Sequence, residues 1–474
     1  MTDIGILRVN TMLIKAGNNS DRIKNAHVLM KDAAFPSPFG GGLEYSSPAR
    51  GTWNIVHTGM LVPEAHEIFI CAASCLRGVV LTAAEMNALD RFSTVEVKEN
   101  NLLDGDMEEL LIDGVTDIIQ KLPVKPPAVL VYTSCVHHFT GCDWKVMFRT
   151  LSEKYPGIDF IDCYMNPTLR KSGLTPDQIM RKQLYALLKE KEKNPVSVSI
   201  IGNDLPTNPD SDLIRVIKAN DLDLHEITSC KRYDEYQEMA ESSLYISYYP
   251  AAKAGGDALV KRIGGKHIYL PYSWNYDEIR RSIEILKQAI SELRSNASLS
   301  DKTGSEYSQD LTDDEKRILE CEQAYRETLE LVGDTPIAID YTFCPRPASV
   351  AAELLKHGFN VKRLYLDSFT GEERDDYEFL KKNYPEIDIY ATVNPGSRFM
   401  AAENEGAREK WLAIGQKAAY FLNTDYFINV IEGGGMFGYE AVTDTLSLLR
   451  EAFLEKKDMR NLVQIKGMGC CGCC

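Results

Sequence analysis

Short β-prone runs alternate with longer helical stretches along almost the whole chain, and that alternation restricts the fold more than any single motif does. In the first third the runs are 67–70, 128–132 and 158–162. A stretch over 106–120 precedes the second run, and its Leu110, Leu111, Val115, Ile118 and Ile119 fall on one helical face. The second third opens at Asn194-Pro195, with runs 196–201, 222–227, 244–249 and 267–270 and helical patterns over 211–220, 233–242 and 277–295. A polar stretch rich in Ser and Asp, 295–310, reads as a linker. The last third carries runs 336–340, 361–366, 387–391 and 426–431, with helices expected over 347–357, 375–383, 407–421 and 439–454. Strands separated by helices of this length build parallel, doubly wound sheets, because a parallel neighbour is reached only through a crossover. The expected fold is therefore α/β, with three doubly wound parallel-sheet domains. The 474 residues divide into an extension at 1–43, domains at 44–194, 195–330 and 331–460, and a tail at 461–474.

Ligands of such sheets bind beyond the carboxyl ends of the strands. This rule singles out cysteines. Cys71 and Cys75 follow the first run, and Cys135 follows the second, with Cys142 a few residues on. No apolar run approaches the ~18 residues of a spanning helix, and the first ten residues lack a basic and then apolar leader, so a cytoplasmic, non-membrane protein is expected. In a reducing compartment 12 cysteines call for a reason other than disulfides. The formal charge of −16 argues against a nucleic-acid binder, because phosphates would be repelled. No GxxxxGK[ST] loop occurs, so any ATP hydrolysis belongs to a partner.

Three stretches together resemble component 1 of nitrogenase and its relatives, among them dark-operative protochlorophyllide reductase and the reductase of coenzyme F430 synthesis. Val131-Tyr-Thr-Ser-Cys-Val-His-His-Phe-Thr-Gly-Cys-Asp resembles the family's strand, cysteine turn and following helix. Ile70-Cys-Ala-Ala-Ser-Cys resembles the strand and tight loop that end in a cluster cysteine, and Cys135 comes 60 positions after Cys75, about the family's interval. The stretch 426–441, with Glu432-Gly-Gly-Gly-Met-Phe-Gly-Tyr-Glu, resembles the last strand, Gly-rich turn and final helix. The resemblance implies three α/β domains around a central cleft, in a homodimer or in a heterodimer with a related subunit. It implies an interfacial iron–sulfur cluster, of [4Fe–4S] type, and an ATP-dependent Fe–S reductase as electron donor. The departures matter too. The second domain's 244–250 has no cysteine and the third domain's 427–432 no histidine, so no FeMo-type cofactor and no dinitrogen reduction are expected.

Soft thiolates match iron and must be deprotonated to bind it. Cys71, Cys75, Cys135 and Cys142 form the candidate cofactor-binding and metal set, either all from one chain or shared across a dimer. Cys75 and Cys135 lead, Cys71 follows, and Cys142 comes last because it serves equally as a packed residue at a helix start. Cys163 is a more distant candidate. His137 and His138 adjoin Cys135 and could tune a cluster, relay a proton or simply pack. Tyr248, Tyr249, Arg346 and Gly434 follow strands of the later domains and mark a substrate cleft, with Arg346 suited to a carboxylate. Cys470, Cys471, Cys473 and Cys474 form a terminal thiol-rich tail able to chelate a soft metal. The expected function is a reductase subunit acting on a small organic molecule. The rivals are a non-catalytic scaffold or carrier for cluster assembly and, more remotely, a Rossmann-type transferase with structural thiols.

Overall fold

The computed structural model describes residues 26–39, 44–45, 55–165, 168–169, 174–296, 314–392, 394, 396–397, 400 and 410–463. Each third of the chain builds its own mostly parallel sheet. The first sheet runs Phe92–Glu96, His66–Cys71, Ala128–Ser134, Asp159–Met165, all parallel. The second runs Lys266–Tyr269, Ser242–Ser247, Asn194–Ile200, Asp223–Glu226. The third has six strands in the order His27–Leu29, Asp388–Tyr390, Val361–Tyr365, Ile337–Asp340, Leu412–Ile414, Phe427–Ile428. Only its edge strand His27–Leu29 is antiparallel, so part of the expected N-terminal extension belongs to the third domain's sheet.

Each of these three sheets is doubly wound, and each has one place where the winding reverses. In the first sheet the chain leaves His66–Cys71 toward Phe92–Glu96 on one side, whereas it leaves Ala128–Ser134 toward Asp159–Met165 on the other. The loops after the two central strands diverge and open a crevice at their carboxyl ends. The same reversal lies between Asn194–Ile200 and Ser242–Ser247, and again between Ile337–Asp340 and Leu412–Ile414.

Packing ties the units together. One apolar cluster runs from the second sheet, through Ile200 and Ile246, into the third at Ile337 and Ile414. A second joins the Phe69, Cys71 and Tyr132 face of the first sheet to Leu184 near the end of the same third and to Tyr236 and Tyr245 of the next unit. The opposite face of the first sheet, Ile68, Ile70, Val129 and Val131, is covered by helix Met107–Lys121 and by Met147 and Leu151 of helix Trp144–Lys154. The period of two along each strand explains the division.

The differences from the expected elements have local causes. The stretch 407–421, expected as one helix, contains strand Leu412–Ile414 and helix Gln416–Leu422, separated by Gly415 at φ 111°. Cys163 lies inside strand Asp159–Met165 rather than after it. Strand Phe92–Glu96 escaped notice because it is an edge strand with alternating exposure. The linker at 295–310 falls almost wholly outside the described residues, and the thiol tail at 470–474 entirely so.

Candidate functional site

The crevice of the first sheet carries the thiols. Cys71 is the last residue of its strand and is buried. The chain turns at Ala72 into helix Ala73–Glu85, which places Cys75 in the first turn with its N–H donating to Ala72 O at 2.9 Å. Cys135 opens helix Cys135–Thr140 directly after the neighbouring strand. The three sulfurs feel one another. Burial, and then Cys75 and Cys135, push the Cys71 thiol well above its ordinary range. Burial and Cys75 push Cys135 up, while the backbone N–H groups of Cys135 and Val136 act against this by bonding its sulfur. Three thiolates this close repel in a poorly solvated crevice, so a bound cation is what would let them ionise together. No three described His, Cys, Asp or Glu side chains close on a point that fits a single metal ion. A polynuclear cluster is wider than an ion, and the soft, all-sulfur character of the group suits iron–sulfur chemistry. Three thiols also leave one ligand of a cubane to come from elsewhere.

Cys142 stands apart. Its N–H donates to His137 O at 3.2 Å, its sulfur is 3.3 Å from Thr140 Oγ1, and it packs on the Ile70/Val131 side of the sheet. Cys163 is fully buried opposite Tyr132, and its charge couples to Asp162 and Glu67 rather than to the other thiols. His137 is buried, with Nδ1 3.3 Å from Ser134 Oγ and Nε2 unpartnered, and burial lowers its pKa to about 4. His138 lies against Trp144, ring centroids 4.9 Å apart. Phe139, on the same short helix as Cys135, is 82% exposed. Sequence reasoning missed Glu67, a fully buried acid whose carboxyl burial pushes well up and which accepts from Tyr132 OH at 3.5 Å. Glu67 lies four residues before Cys71, ~13 Å along the strand.

The crevice of the second sheet meets a loop of the third. Tyr248 and Tyr249 follow strand Ser242–Ser247, and 202–212 follows Asn194–Ile200. Tyr248 OH is 3.0 Å from Thr207 Oγ1, which donates to Glu226 Oε1 at 2.5 Å. From the third domain, Glu432 and Gly433 are pinned by N–H bonds to Thr342 O and Phe343 O at 2.9 and 2.5 Å. Residues 432–435 all have positive φ, from 52° to 75°. For Glu432 that left-handed backbone is a strained state, the kind concentrated at functional sites. Gly435 permits the closest approach: a Cβ there would lie 2.0 Å from Pro206 O, and Asn208 N–H donates to Gly435 O at 2.8 Å. The loop is thereby sewn across the domain boundary, with Tyr439 N–H donating to Asp212 at 2.7 Å.

At this junction Arg181 is buried between two acids. Helix Pro176–Ala186, started by the reciprocal Thr175 and Gln178 bonds of a capping box, carries it inward. Arg181 Nε donates to Asp177 at 3.0 Å and Nη2 to Asp204 at 2.9 Å. Glu432 faces the same group, and its carboxyl is pushed well up by burial and by Asp204. Its Oε1, and the hydroxyl of Tyr249, have no partner. Of the expected cleft residues, Tyr248, Tyr249 and the Gly434 loop meet here, and Cys344 is close enough to influence the Tyr249 hydroxyl. Arg346 is a correction. Its Nη1 donates to Tyr272 O and Glu278, and its Nη2 to Glu372 O and Asp376, at 2.7–3.1 Å, so it is a buried clamp rather than a carboxylate receptor. The signal for Glu432 was present in the Gly-rich motif, but an acid in a loop is ordinarily read as solvated.

A family model described as nitrogenase component 1 type oxidoreductase matches residues 60–374, more than half of the chain. The fold is similar to a solved structure of nitrogenase Cp1 at pH 6.5, with a TM-score of 0.60 at 12% identity, over 90% of this chain and 95% of that one. The same protein at pH 5 gives 0.57 at 12% identity, over 92% and 95%. No curated protein matches the sequence. No described helix is long and apolar enough to cross a membrane.

Proposed function

Because the chain belongs to the nitrogenase component 1 type oxidoreductases, we propose that it is a reductase subunit that receives electrons at an iron–sulfur cluster and delivers them to a small organic molecule. The observation that carries this reading is the convergence of Cys71, Cys75 and Cys135 on the crevice of the first sheet. These three would hold a [4Fe–4S]-type cluster, with the remaining ligand supplied by a second copy or a related subunit. When bound, the cluster supplies one-electron redox chemistry. The protein's own part is to exclude water at Cys71, to aim backbone N–H groups at Cys135, and to keep His137 neutral beside them. An ATP-dependent Fe–S reductase is the proposed donor, and the exposed Phe139 beside Cys135 offers it an apolar contact. Tyr248, Tyr249 and the Glu432–Gly435 loop form the proposed substrate cleft. That second crevice, with unpartnered groups of its own, favours an enzyme over a carrier, which has no use for a substrate site.

Iron and sulfide analysis of protein purified without oxygen, with EPR after reduction, tests the reading. Iron with a reducible cluster signal is expected, and iron-free protein from such a preparation would sink it. Reduction that requires both the reductase and ATP would separate an enzyme from an assembly scaffold.

A further inference from the structure

The unpartnered atoms at the junction of the second and third domains are of one kind. Asp204 Oδ1 is an acceptor, Glu432 Oε1 is one once its carboxyl ionises, and Tyr249 OH can accept as well as donate. Glu432 is 8% exposed and Tyr249 5%, so neither loss is made good by bulk water. They are neighbours. Glu432 is the charge that most affects the Tyr249 hydroxyl, Asp204 is the one that most affects Glu432, and a Cβ on Gly433 would lie 3.1 Å from Tyr249 OH. The left-handed backbone at Glu432 holds its side chain there at a conformational cost.

The charges are unequal. Asp177 and Asp204 share one guanidinium, so the group is negative by one even with Glu432 protonated. Arg181 has its Nε and Nη2 committed to those acids, so an anionic ligand would meet repulsion without a free donor fork. A bare metal ion fits poorly as well, since no three described acidic, thiol or imidazole side chains gather into a metal-holding group. The remaining complement is a cation that brings its own N–H donors. Asp177 and Asp204 side chains keep 17% and 14% exposure, which marks the side from which such a group enters.

We propose that Glu432, Asp204 and Tyr249, backed by Arg181 and Asp177, form a subsite for a positively charged, hydrogen-bond-donating part of the substrate, an alkylammonium or amidinium. The proposal rests on reading this cleft as the substrate site, and it names the class of substrate that site accepts. Such a group satisfies the orphaned acceptors and neutralises the excess charge, which in a dry site is where one ionic hydrogen bond counts most.

The test uses the full chain and n-butylammonium chloride as probe, with sodium butyrate and potassium chloride at equal ionic strength as controls. Binding is read as a saturable rise of the thermal midpoint and as saturation-transfer NMR of the butyl protons. Butylammonium should bind and butyrate should not. Glu432→Gln and Asp204→Asn should each weaken the probe about tenfold, one missing ionic hydrogen bond, and Tyr249→Phe, which removes only a hydroxyl, should weaken it less. No saturable binding of butylammonium, equal binding of butyrate, or affinity unchanged in both Glu432→Gln and Tyr249→Phe overturns the proposal. The assay needs neither iron nor reductase. Iron-free protein that binds butylammonium therefore sinks the reductase reading alone, and iron-bearing protein indifferent to it sinks this proposal alone.

Discussion

The crevices of the first and second sheets are built by the same backbone device and furnished with opposite chemistry. In each, two central parallel strands send their chains in opposite directions and leave a gap at their carboxyl ends. The first gap receives Cys71, Cys75 and Cys135 from the strand end and the first turns of the two helices that follow. The second receives tyrosine hydroxyls and carboxylates, closed from outside by a Gly-rich loop of another domain. The third sheet shows the device put to structural use. Asp340 there accepts from Thr342 N at 2.7 Å and Ala418 N at 2.6 Å, and a side chain at Gly415 would strike it at 2.3 Å. Topology thus fixes where a site can lie, and the donor atoms decide what it holds. Soft sulfur suits iron, and hard oxygen suits a hydrogen-bonding organic group.

The largest effect should come from taking sulfur out of the first crevice. Cys75→Ala and Cys135→Ala are expected to purify without iron, and Cys71→Ala with a reduced iron-to-protein ratio, all with butylammonium binding intact. Cys142→Ala should keep the full iron content, because its sulfur packs on the other side of the sheet. Iron loss in Cys142→Ala equal to that in Cys135→Ala would break the separation drawn between them.

Next in size is Arg181→Met in the second crevice. Removing the cation strands Asp177 and Asp204 in a buried place, and broken pairs of this kind cost about 3–5 kcal/mol. Both acids retain some water, so the lower end is expected, seen as an earlier urea midpoint. An unchanged midpoint would mean that the acids relax into solvent and that the second crevice is wet.

Gly435→Ala addresses the seam between the second and third domains. The new Cβ would lie 2.0 Å from Pro206 O on a backbone at φ 75°, and the two faults together should cost about 1–3 kcal/mol. Because the seam carries Glu432, this variant should also weaken butylammonium binding while leaving iron content alone. A loss of iron would couple the two crevices.

Much of the first crevice was legible in the sequence, and little of the second. A strand ending in cysteine, followed by a helix, is a local pattern: the run read at 67–70 is strand His66–Cys71, and the run at 128–132 is Ala128–Ser134. The order of the strands is not local. Nothing in residues 92–96 announces that they lie beyond His66–Cys71 and so open the crevice on its other side. The second crevice assembles Arg181, Asp204 and Glu432 from three distant places, and each alone looks like a surface charge. Arg346 shows the converse. Its setting after a strand suggested a ligand role, yet Glu278 and Asp376, far away in sequence, had already claimed it. Strand Leu412–Ile414 was taken into a helix because a three-residue run with Leu and Ala does not break a helical pattern, and its parallel partners on both sides, Ile337, Ala338 and Ile339 on one and Phe427 and Ile428 on the other, make it extended.

The smallest expected effects concern two titrating groups on the strands of the thiol-bearing sheet, and their signs differ. Burial raises Asp162 from 3.8 to about 6. The folded state then holds its proton more tightly than the unfolded chain, so stability rises as pH falls through 6 toward 3.8, and the penalty is complete above 6. Burial, aided by Arg91, lowers His66 from 6.5 to about 4. The unfolded chain there takes up the proton first, so stability falls as pH drops from 6.5 toward 4. Asp162→Asn should therefore be more stable than the wild type at pH 7.5, by roughly 1–3 kcal/mol, with the advantage fading toward pH 4. His66→Gln loses the acid-side penalty, so its urea midpoint relative to wild type should improve from pH 7.5 to pH 5. The contrast bears on the two crevices because Asp162 and His66 are carried by strands of the thiol-bearing sheet and Asp177, pushed to about 6 as well, sits in the acid junction. If Asp162→Asn shows no pH-dependent gain, water reaches the first sheet between its strands.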